Sequence, residues 1–291
     1  MRTSLRGLAA ALDRRACPTT IGRLLRANGL GLRGHRKRLT RKTHADRDTQ
    51  FRYIQARRRA FVGVHHPRIS IDAKKRQPVG VFKNPGRRLC RTPTDVNAHD
   101  FPSDAVAQAV PYGVYDPELN RGHVCVGMTG NTADLAVDAV RDWWRQKGAR
   151  QYRGASALLI EADGGGSNGS RPRRFKFRLQ QFADETGVAV TVCHYPPGAS
   201  KWNPVEHKLF SQITATWAGV VLATVAVLVG LIRRTTTATG LRVTAREMPG
   251  AYPTGRKVTA AEFRDIRLTR HETCPQWNYT IHPRTGGKNT E

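Results

Sequence analysis

Three acidic residues occupy positions in which carboxylates could act together on a phosphodiester. Asp72 ends a strand-like run, Asp163 follows another such run and precedes three glycines, and Glu206 lies in the first turn of a predicted helix. In an α/β sheet, functional groups gather at the carboxyl ends of strands and at the adjoining helix ends. Carboxylates that converge there can bind hard divalent cations, and two such ions assist the displacement of a phosphodiester oxygen. The pattern therefore predicts a metal-dependent nuclease or transferase.

Each of these carboxylates also has a purely structural interpretation. Asp72 could form a surface ion pair with a following lysine, which would contribute little, and Asp163 could be a turn residue before glycines. For Glu206 the alternative is a capping arrangement, because Asn203 could be the helix N-cap and Pro204 the first helical residue. Composition and spacing by themselves leave the chemical and the structural interpretations open.

The elements that would position the carboxylates follow the order β-β-β-α-β-α-β-α. Apolar runs bounded by turn residues predict the strands, and amphipathic stretches that stop at Gly148 and Gly187 predict two of the helices. The segment between the second and third strands is expected to be rich in loops. This order predicts an α/β fold with a mixed five-stranded sheet flanked by helices. The predicted strands are residues 68–72, 78–82, 123–127, 157–160 and 188–192.

A small basic helical segment precedes the predicted sheet. Residues 4–30 read as two short helices of helix-turn-helix size, with Arg23 and Arg26 on the free face as candidate DNA contacts. Any small basic helical hairpin would give the same spacing. The predicted divisions are a partial helix-turn-helix segment at 1–34, a basic linker and helix at 35–66, a catalytic domain at 67–240, and a C-terminal extension packed on it at 241–291.

The charge balance predicts a polyanionic partner. The 291 residues include 49 Lys and Arg against 22 Asp and Glu, which gives a formal net charge of +27. Such self-repulsion is offset when cationic side chains neutralise phosphates and release condensed counterions, so nucleic acid is the expected partner. A ribosomal RNA-binding protein or a protein of an anionic membrane surface would show the same balance.

Cysteine usage and hydropathy restrict the class of protein further. The five cysteines include no CxxC pair, which argues against a zinc knuckle or a disulfide framework, and Cys125 and Cys193 read as small core residues in a reducing compartment. Residues 209–232 carry no charge, but their polar residues and Gly219 favour two buried helices with a break over a membrane span. Residues 1–8 lack the apolar run of a signal peptide.

Three sequence blocks resemble the catalytic blocks of a known family. They are SIDAKK at 70–75, DGGGSN at 163–168 and PPGASKWNPVEH at 196–207. Connecting segments are similar too: HDF at 99–101, PYGVYD at 111–116, WW at 143–144 and WNYTI at 277–281. Together they resemble the bacterial insertion-sequence transposases with a Rhodopirellula-type DDE transposase domain, over nearly the whole chain.

This resemblance implies a fold, a reaction and a location. The fold would be RNase H-like, and Asp72, Asp163 and Glu206 would be the catalytic residues that bind two Mg²⁺ or Mn²⁺ ions. The reaction would be hydrolytic nicking at the ends of the element, followed by attack of the freed 3′-hydroxyl on target DNA. Because two ends must meet, a homodimer or higher assembly on DNA is expected. The protein would be cytoplasmic, associated with the bacterial nucleoid, and without a membrane partner.

Five further residues are weaker candidates for contacts with DNA. Lys74 and Lys75 suit phosphate contacts better than catalysis. Lys201 could bind a phosphate while a base stacks on Trp202, although packing of Trp202 against the sheet edge is the favoured alternative. Asn168 could orient the neighbouring carboxylate or contact phosphate, or it could cap a turn.

The chain departs from the family pattern at three points. Ala199 replaces a usual threonine, Asn131 replaces a usual aspartate, and the N-terminal helical segment is shorter than in other members. The short segment allows a second interpretation, a truncated transposase remnant that binds DNA without catalysis. A third is an RNase H-like nuclease without strand transfer, which would share the same active site.

Overall fold

The computed structural model of the chain describes residues 4–12, 15–31 and 44–284, in two units that span residues 1–41 and 42–291. The predicted division of the chain into four segments stays a prediction. Residues 35–43 of the predicted basic linker lie outside the described residues.

The first unit contains the two helices that the sequence predicts. They are α1 at Leu5–Ala11 and α2 at Pro18–Ala27. Arg23 and Arg26 are both exposed, and the Arg26 side chain donates from Nε to the carbonyl oxygen of Gly22 in its own helix at 3.1 Å. The helical part of the expectation is confirmed, and DNA binding by these arginines stays a prediction.

The second unit combines one sheet with helices on both of its faces. Its α-helices are α3 Arg47–Gly63, α4 Ala133–Trp143, α5 Ala149–Gln151, α6 Arg173–Thr186, α7 Ser211–Thr216, α8 Val225–Arg233 and α9 Ala260–Arg264. Single π-helical turns span Trp144–Gly148 and Val205–Phe210, and 3₁₀ turns span Pro102–Asp104 and Ser200–Trp202. The strands are β1 Arg68–Ala73, β2 Gln77–Val79, β3 Ala107–Asp116, β4 Arg121–Gly127, β5 Ala157–Ala162, β6 Ala189–His194, β7 Arg242–Glu247, β8 Leu268–Arg270 and β9 Asn278–Ile281.

The strands are arranged in the order β7-β4-β3-β1-β5-β6-β9-β8, and β2 pairs with β3. Strands β1, β5 and β6 are parallel neighbours, while β3 runs antiparallel to both β1 and β4. The five central strands, from β4 to β6, form a mixed sheet of the kind that the predicted order of strands and helices implies. The predicted α/β class is thus confirmed.

The prediction of five strands was wrong in the number of strands, and it missed one of the central strands. The predicted strand at 78–82 is only the short β2, and the long central β3 lies in the stretch expected to be rich in loops. Pro111 and Gly113 interrupt the β3 sequence, and proline normally argues against a central strand because it lacks an N–H donor. Strand β3 is also buried on both faces over most of its length, so it shows no alternation of apolar and polar residues.

The region predicted as a C-terminal extension enters the sheet directly. Strand β7 pairs in parallel with β4, β9 pairs antiparallel with β6, and β8 continues from β9. These three strands enlarge the predicted five-stranded sheet at both edges.

Two layers of helices bury the faces of the sheet. Helices α4 and α6 cover one face, where Ile69, Ile71 and Tyr112 contribute to the largest apolar cluster. The opposite face is covered by α3 on one side and by the π-helical turn Val205–Phe210 with α7 and α8 on the other. Side chains of β1 alternate between the faces, so Ser70 and Asp72 point to this second face.

The uncharged stretch at 209–232 forms two separate helices, as predicted. Helices α7 and α8 are joined through Gly219, which has φ +70°. A Cβ at Gly219 would also lie 3.0 Å from the backbone carbon of Arg87, so a side chain there would be both strained in conformation and crowded. Among the described residues, no helix has the length and apolar character needed to cross a membrane.

Candidate active site

The three predicted carboxylates lie at one end of the central strands. Asp72 is the penultimate residue of β1, Asp163 is the first residue after the parallel neighbour β5, and Glu206 lies in the π-helical turn after β6. The negative charge of Glu206 acts on the Asp72 carboxyl. All three side chains are partly exposed, so the group can be reached from solvent.

Burial and mutual repulsion act strongly on these carboxylates. Burial first, and then the charges of Asp163 and Glu206, raise the pKa of Asp72 to about 8. The pKa of Asp163 is also raised by burial and by Glu206, although a hydrogen bond from Asn203 opposes the rise. Asp163 and Glu206 both act on the pKa of Asp72, and Glu206 also acts on that of Asp163. The three acidic groups therefore form one electrostatic site.

A missing side chain on β3 allows Glu206 to approach Asp72. Gly113 is the register partner of Asp72, and facing residues of antiparallel strands point to the same face. A Cβ at Gly113 would lie 2.6 Å from the Phe210 ring and 3.1 Å from a methyl of Val205. Glycine therefore lets the π-helical turn pack directly on the sheet beside Asp72.

Buried Asn203 joins the three segments that carry the carboxylates. Its Nδ2 donates to the carbonyl oxygen of Ile71 at 3.2 Å and to Oδ1 of Asp163 at 3.0 Å. Its Oδ1 accepts a hydrogen bond from Ser70, and the Ser70 hydroxyl in turn accepts from the backbone N–H of Val205 at 3.0 Å. One amide thus links β1, the loop after β5 and the turn that carries Glu206.

These bonds contradict the structural alternatives for two of the carboxylates. The Asn203 side chain does not cap the helix, because its amide bonds to β1 and Asp163, and only its backbone carbonyl accepts from the N–H of Glu206, at 3.1 Å. Asp72 accepts from the N–H of Ala73 at 2.8 Å, and no lysine in the described part of the chain forms a salt bridge with it. Neither the capping box nor the surface ion pair is present.

His194 holds the backbone of the loop that carries Asp163. Its Nδ1 lies 2.9 Å from the carbonyl oxygen of Asp163, which can only accept, so Nδ1 carries the proton. Its Nε2 then accepts from the Tyr279 hydroxyl at 3.2 Å. Burial lowers the pKa of His194 to about 4, and the ring is therefore neutral at physiological pH.

A buried ion pair attaches α3 behind the site. Glu161, two residues before Asp163, is 1% exposed and accepts from Nε and Nη2 of Arg58 at 2.7 and 2.6 Å. The Tyr195 hydroxyl donates to the same carboxylate at 2.6 Å, and Arg68 lies 3.3 Å from it. Arg58 belongs to the segment predicted as a basic linker and helix, but in the structure its charge is paired with that of Glu161.

The other predicted residues are distributed around the carboxylates. Lys74 donates to the Thr214 hydroxyl at 2.6 Å and lies 5.3 Å from the centre of the Trp217 ring. Burial lowers its pKa. Lys75, by contrast, is exposed. Lys75 is therefore more accessible to a phosphate than Lys74.

Trp202 does not pack into the sheet edge. Its side chain is 54% exposed and touches Phe51 edge-on at 6.0 Å between ring centres, and Lys201 lies 5.5 Å from its centre. The exposed ring and the adjacent cation stay candidates for a base and a phosphate contact.

Asn168 is buried and, within the described part of the chain, forms no hydrogen bond with Asp163. Its Nδ2 lacks a hydrogen-bond partner in the described part of the chain, while the neighbouring Ser167 donates to Oδ1 of Asn131 at 2.6 Å. The role of Asn168 therefore stays a prediction.

Sequence reasoning assigned Asn203 only a helix-capping role, and it assigned no role to Ser70 or His194. Ser70 could have been found, because strand alternation places it on the same face as Asp72, where an apolar residue would be expected. The roles of Asn203 and His194 depend on partners that are far away in sequence.

Comparisons with known proteins give one family and one group of similar structures. A family model described as Rhodopirellula transposase DDE domain matches residues 1–283. No curated protein matches the chain. The Mos1 transposase paired-end complex with left transposon end is 15% identical, with a TM-score of 0.45, over 77% of this chain and 63% of that one. The Mos1 strand transfer complex is 14% identical, with a TM-score of 0.44, over 78% and 63%. The chain thus spans less than two thirds of these Mos1 chains.

Proposed function

The chain belongs to the Rhodopirellula transposase DDE domain family, and from this premise we propose that it cleaves and joins DNA at the ends of an insertion sequence. In this proposal Asp72, Asp163 and Glu206 bind two Mg²⁺ or Mn²⁺ ions. The partners are the ends of the element and a target DNA, brought together by a homodimer or a higher assembly.

One observation carries the proposal: three carboxylates converge in a protein of net charge +27, and the nearby cation Lys74 acts on Glu206 without forming a salt bridge. Across the described ranges, 4–12, 15–31 and 44–284, no salt bridge reaches any of the three. The raised pKa of Asp72 means that ionising it in this place is unfavourable. A hard divalent cation with oxygen ligands would offset that repulsion.

The residues around the carboxylates suit a site of this kind. Bound divalent ions would activate the attacking oxygen and stabilise the leaving oxygen of the phosphodiester. Asn203 holds the Asp163 carboxylate through Oδ1 and leaves Oδ2 for a ligand, and neutral His194 fixes the backbone beneath it. Lys75, Lys201 and Trp202 are exposed and close in sequence to Asp72 or Glu206, and in this proposal they contact the DNA backbone and stack a base.

Replacing Asn203 with alanine is expected to weaken metal binding more than it weakens the fold. The change removes the hydrogen bond that orients Asp163, and the loss of such a supporting bond typically lowers metal affinity or activity by about 10–100-fold. The Mg²⁺ concentration for half-maximal cleavage should therefore rise by roughly that factor. Asn97→Ala, at a partly exposed asparagine, is the matched control. An unchanged Mg²⁺ requirement together with a lower Tm would assign Asn203 a purely structural role.

The proposed reaction is tested with DNA that carries the two ends of the element, taken from the flanks of its gene. The full chain is incubated with these ends, a supercoiled target plasmid, and Mg²⁺ or Mn²⁺. We expect nicks at the element boundaries and products in which an end is joined to the plasmid. Equal cutting of DNA with scrambled ends, without joined products, would indicate a nuclease. Binding without cutting in either ion would indicate a transposase remnant.

A further inference from the structure

A second group of metal-binding side chains lies on the opposite face of the sheet from the three carboxylates. His123 and Cys125 are two residues apart on β4 and share one face, and Asp142 lies near the end of α4, which covers that face. Cys125 is the register partner of Tyr112, whereas Asp72 pairs with Gly113, so the two sites face opposite ways.

Three ligand atoms of this group point at one another. His123 Nε2 is 2.7 Å from Asp142 Oδ2, and Cys125 Sγ is 3.6 Å from the same Nε2 and 3.7 Å from the same Oδ2. A tetrahedral zinc ion with Zn–S near 2.3 Å and Zn–N or Zn–O near 2.1 Å separates its sulfur from its nitrogen and oxygen ligands by about 3.6 Å. The distances from Cys125 Sγ to the nitrogen and to the oxygen therefore already match those of a zinc site. The third distance, between His123 Nε2 and Asp142 Oδ2, must lengthen from that of a hydrogen bond to about 3.4 Å on the same geometry.

The atoms not directed at this centre are held by supporting contacts. His123 Nδ1 lies 2.8 Å from the Thr244 hydroxyl, and Asp142 Oδ1 accepts from Arg246 at 3.0 Å. Metal-bound histidines usually use their second nitrogen in such a hydrogen bond, and metal-bound carboxylates are hydrogen-bonded in turn. These contacts leave Nε2, Oδ2 and Sγ free to point at one common centre.

A cavity borders the histidine of the group, although Cys125 and Asp142 do not line it. A cavity of about 440 Å³ is bordered by His123, Thr244 and Trp143, so an ion and a water molecule could reach the histidine from outside. The three carboxylates of the candidate active site do not border this cavity.

We propose that His123, Cys125 and Asp142 bind one zinc ion whose fourth position is open to solvent, and that this ion ties β4 to α4. A thiolate and an imidazole favour zinc over magnesium. Binding releases the thiol proton of Cys125, and the thiolate and carboxylate together neutralise the charge of the ion. Cys125 is buried, in agreement with its predicted place in the core, but the ligands come from a strand and a helix and so form no zinc knuckle.

The test is the metal content of the full chain purified without chelators. We expect about one zinc ion per chain that survives dialysis against magnesium buffer, and a thiolate-to-cobalt charge-transfer band after exchange into Co²⁺. Cys125→Ala should lose nearly all of the zinc and the band. Cys193→Ala, at an equally buried cysteine of β6, should keep both.

The wild-type protein decides the proposal even if Cys125→Ala fails to fold. A folded wild type that neither retains zinc nor gives the cobalt band on titration would overturn it and leave the three side chains as a hydrogen-bonded cluster. Zinc retained in full by folded Cys125→Ala would overturn it too. Neither readout involves DNA cleavage, so the outcome is independent of the proposed transposase activity.

Discussion

Asp163→Asn is expected to lower metal-dependent DNA cleavage by roughly 10³-fold, because divalent ions contribute several kcal/mol to such reactions and each 1.36 kcal/mol is a factor of ten. Asparagine has nearly the shape of aspartate, and its Oδ1 can still accept the hydrogen bond from Asn203. The fold should therefore survive while the charge is lost. DNA binding should persist, because it depends on cationic contacts with phosphates.

The measurement compares single-turnover cleavage and DNA affinity of the wild type with those of Asp163→Asn. Asp104→Asn is the matched control, since Asp104 is an exposed aspartate in the turn Pro102–Asp104, outside the elements that carry the three carboxylates. The control should cut like the wild type. Cleavage by Asp163→Asn at the wild-type rate and metal dependence would remove Asp163 from the proposed triad, whatever the function of the chain.

The positions of the carboxylates could be predicted because each follows from local sequence. An apolar run that ends in an acid defines Asp72 and Asp163, and the turn sequence before Glu206 marks the start of a helix. The parallel arrangement of β1, β5 and β6 then brings these ends together, as a βαβ order requires. Local pattern and sheet topology were sufficient at these positions.

The supporting contacts could not be predicted in the same way. Asn203 reads locally as a helix cap, but its amide bonds to Ile71, 132 residues away in sequence. The central strand β3 was missed because Pro111 and Gly113 look like turn residues. Gly113 is in fact required, since Phe210 occupies the space that a side chain would need. In each case a tertiary contact overrides the local preference.

Asp72→Asn is expected to abolish metal-dependent cleavage and yet stabilise the metal-free protein at pH 8. The pKa of Asp72 is raised from 3.8 to about 8 in the folded protein. A group with a raised folded-state pKa stabilises the fold fully below its unfolded-state pKa, and this contribution is lost as pH rises through the folded-state value. Asparagine cannot ionise, so it avoids the repulsion from Asp163 and Glu206 that the wild type meets at high pH.

The Tm of the metal-free wild type should therefore fall relative to that of Asp72→Asn between about pH 4 and pH 8, and the gap should level off above pH 8. We expect a gap of several degrees, since each kcal/mol moves Tm by about 2–4 °C in a domain of this size. Adding Mg²⁺ or Mn²⁺ at pH 8 should raise the Tm of the wild type and leave that of Asp72→Asn unchanged, because only the ionised site binds the ion. If the Tm of the two proteins instead changed with pH in parallel, ionisation of Asp72 would not destabilise the fold. The carboxylates would then not form the mutually repelling cluster on which metal binding depends.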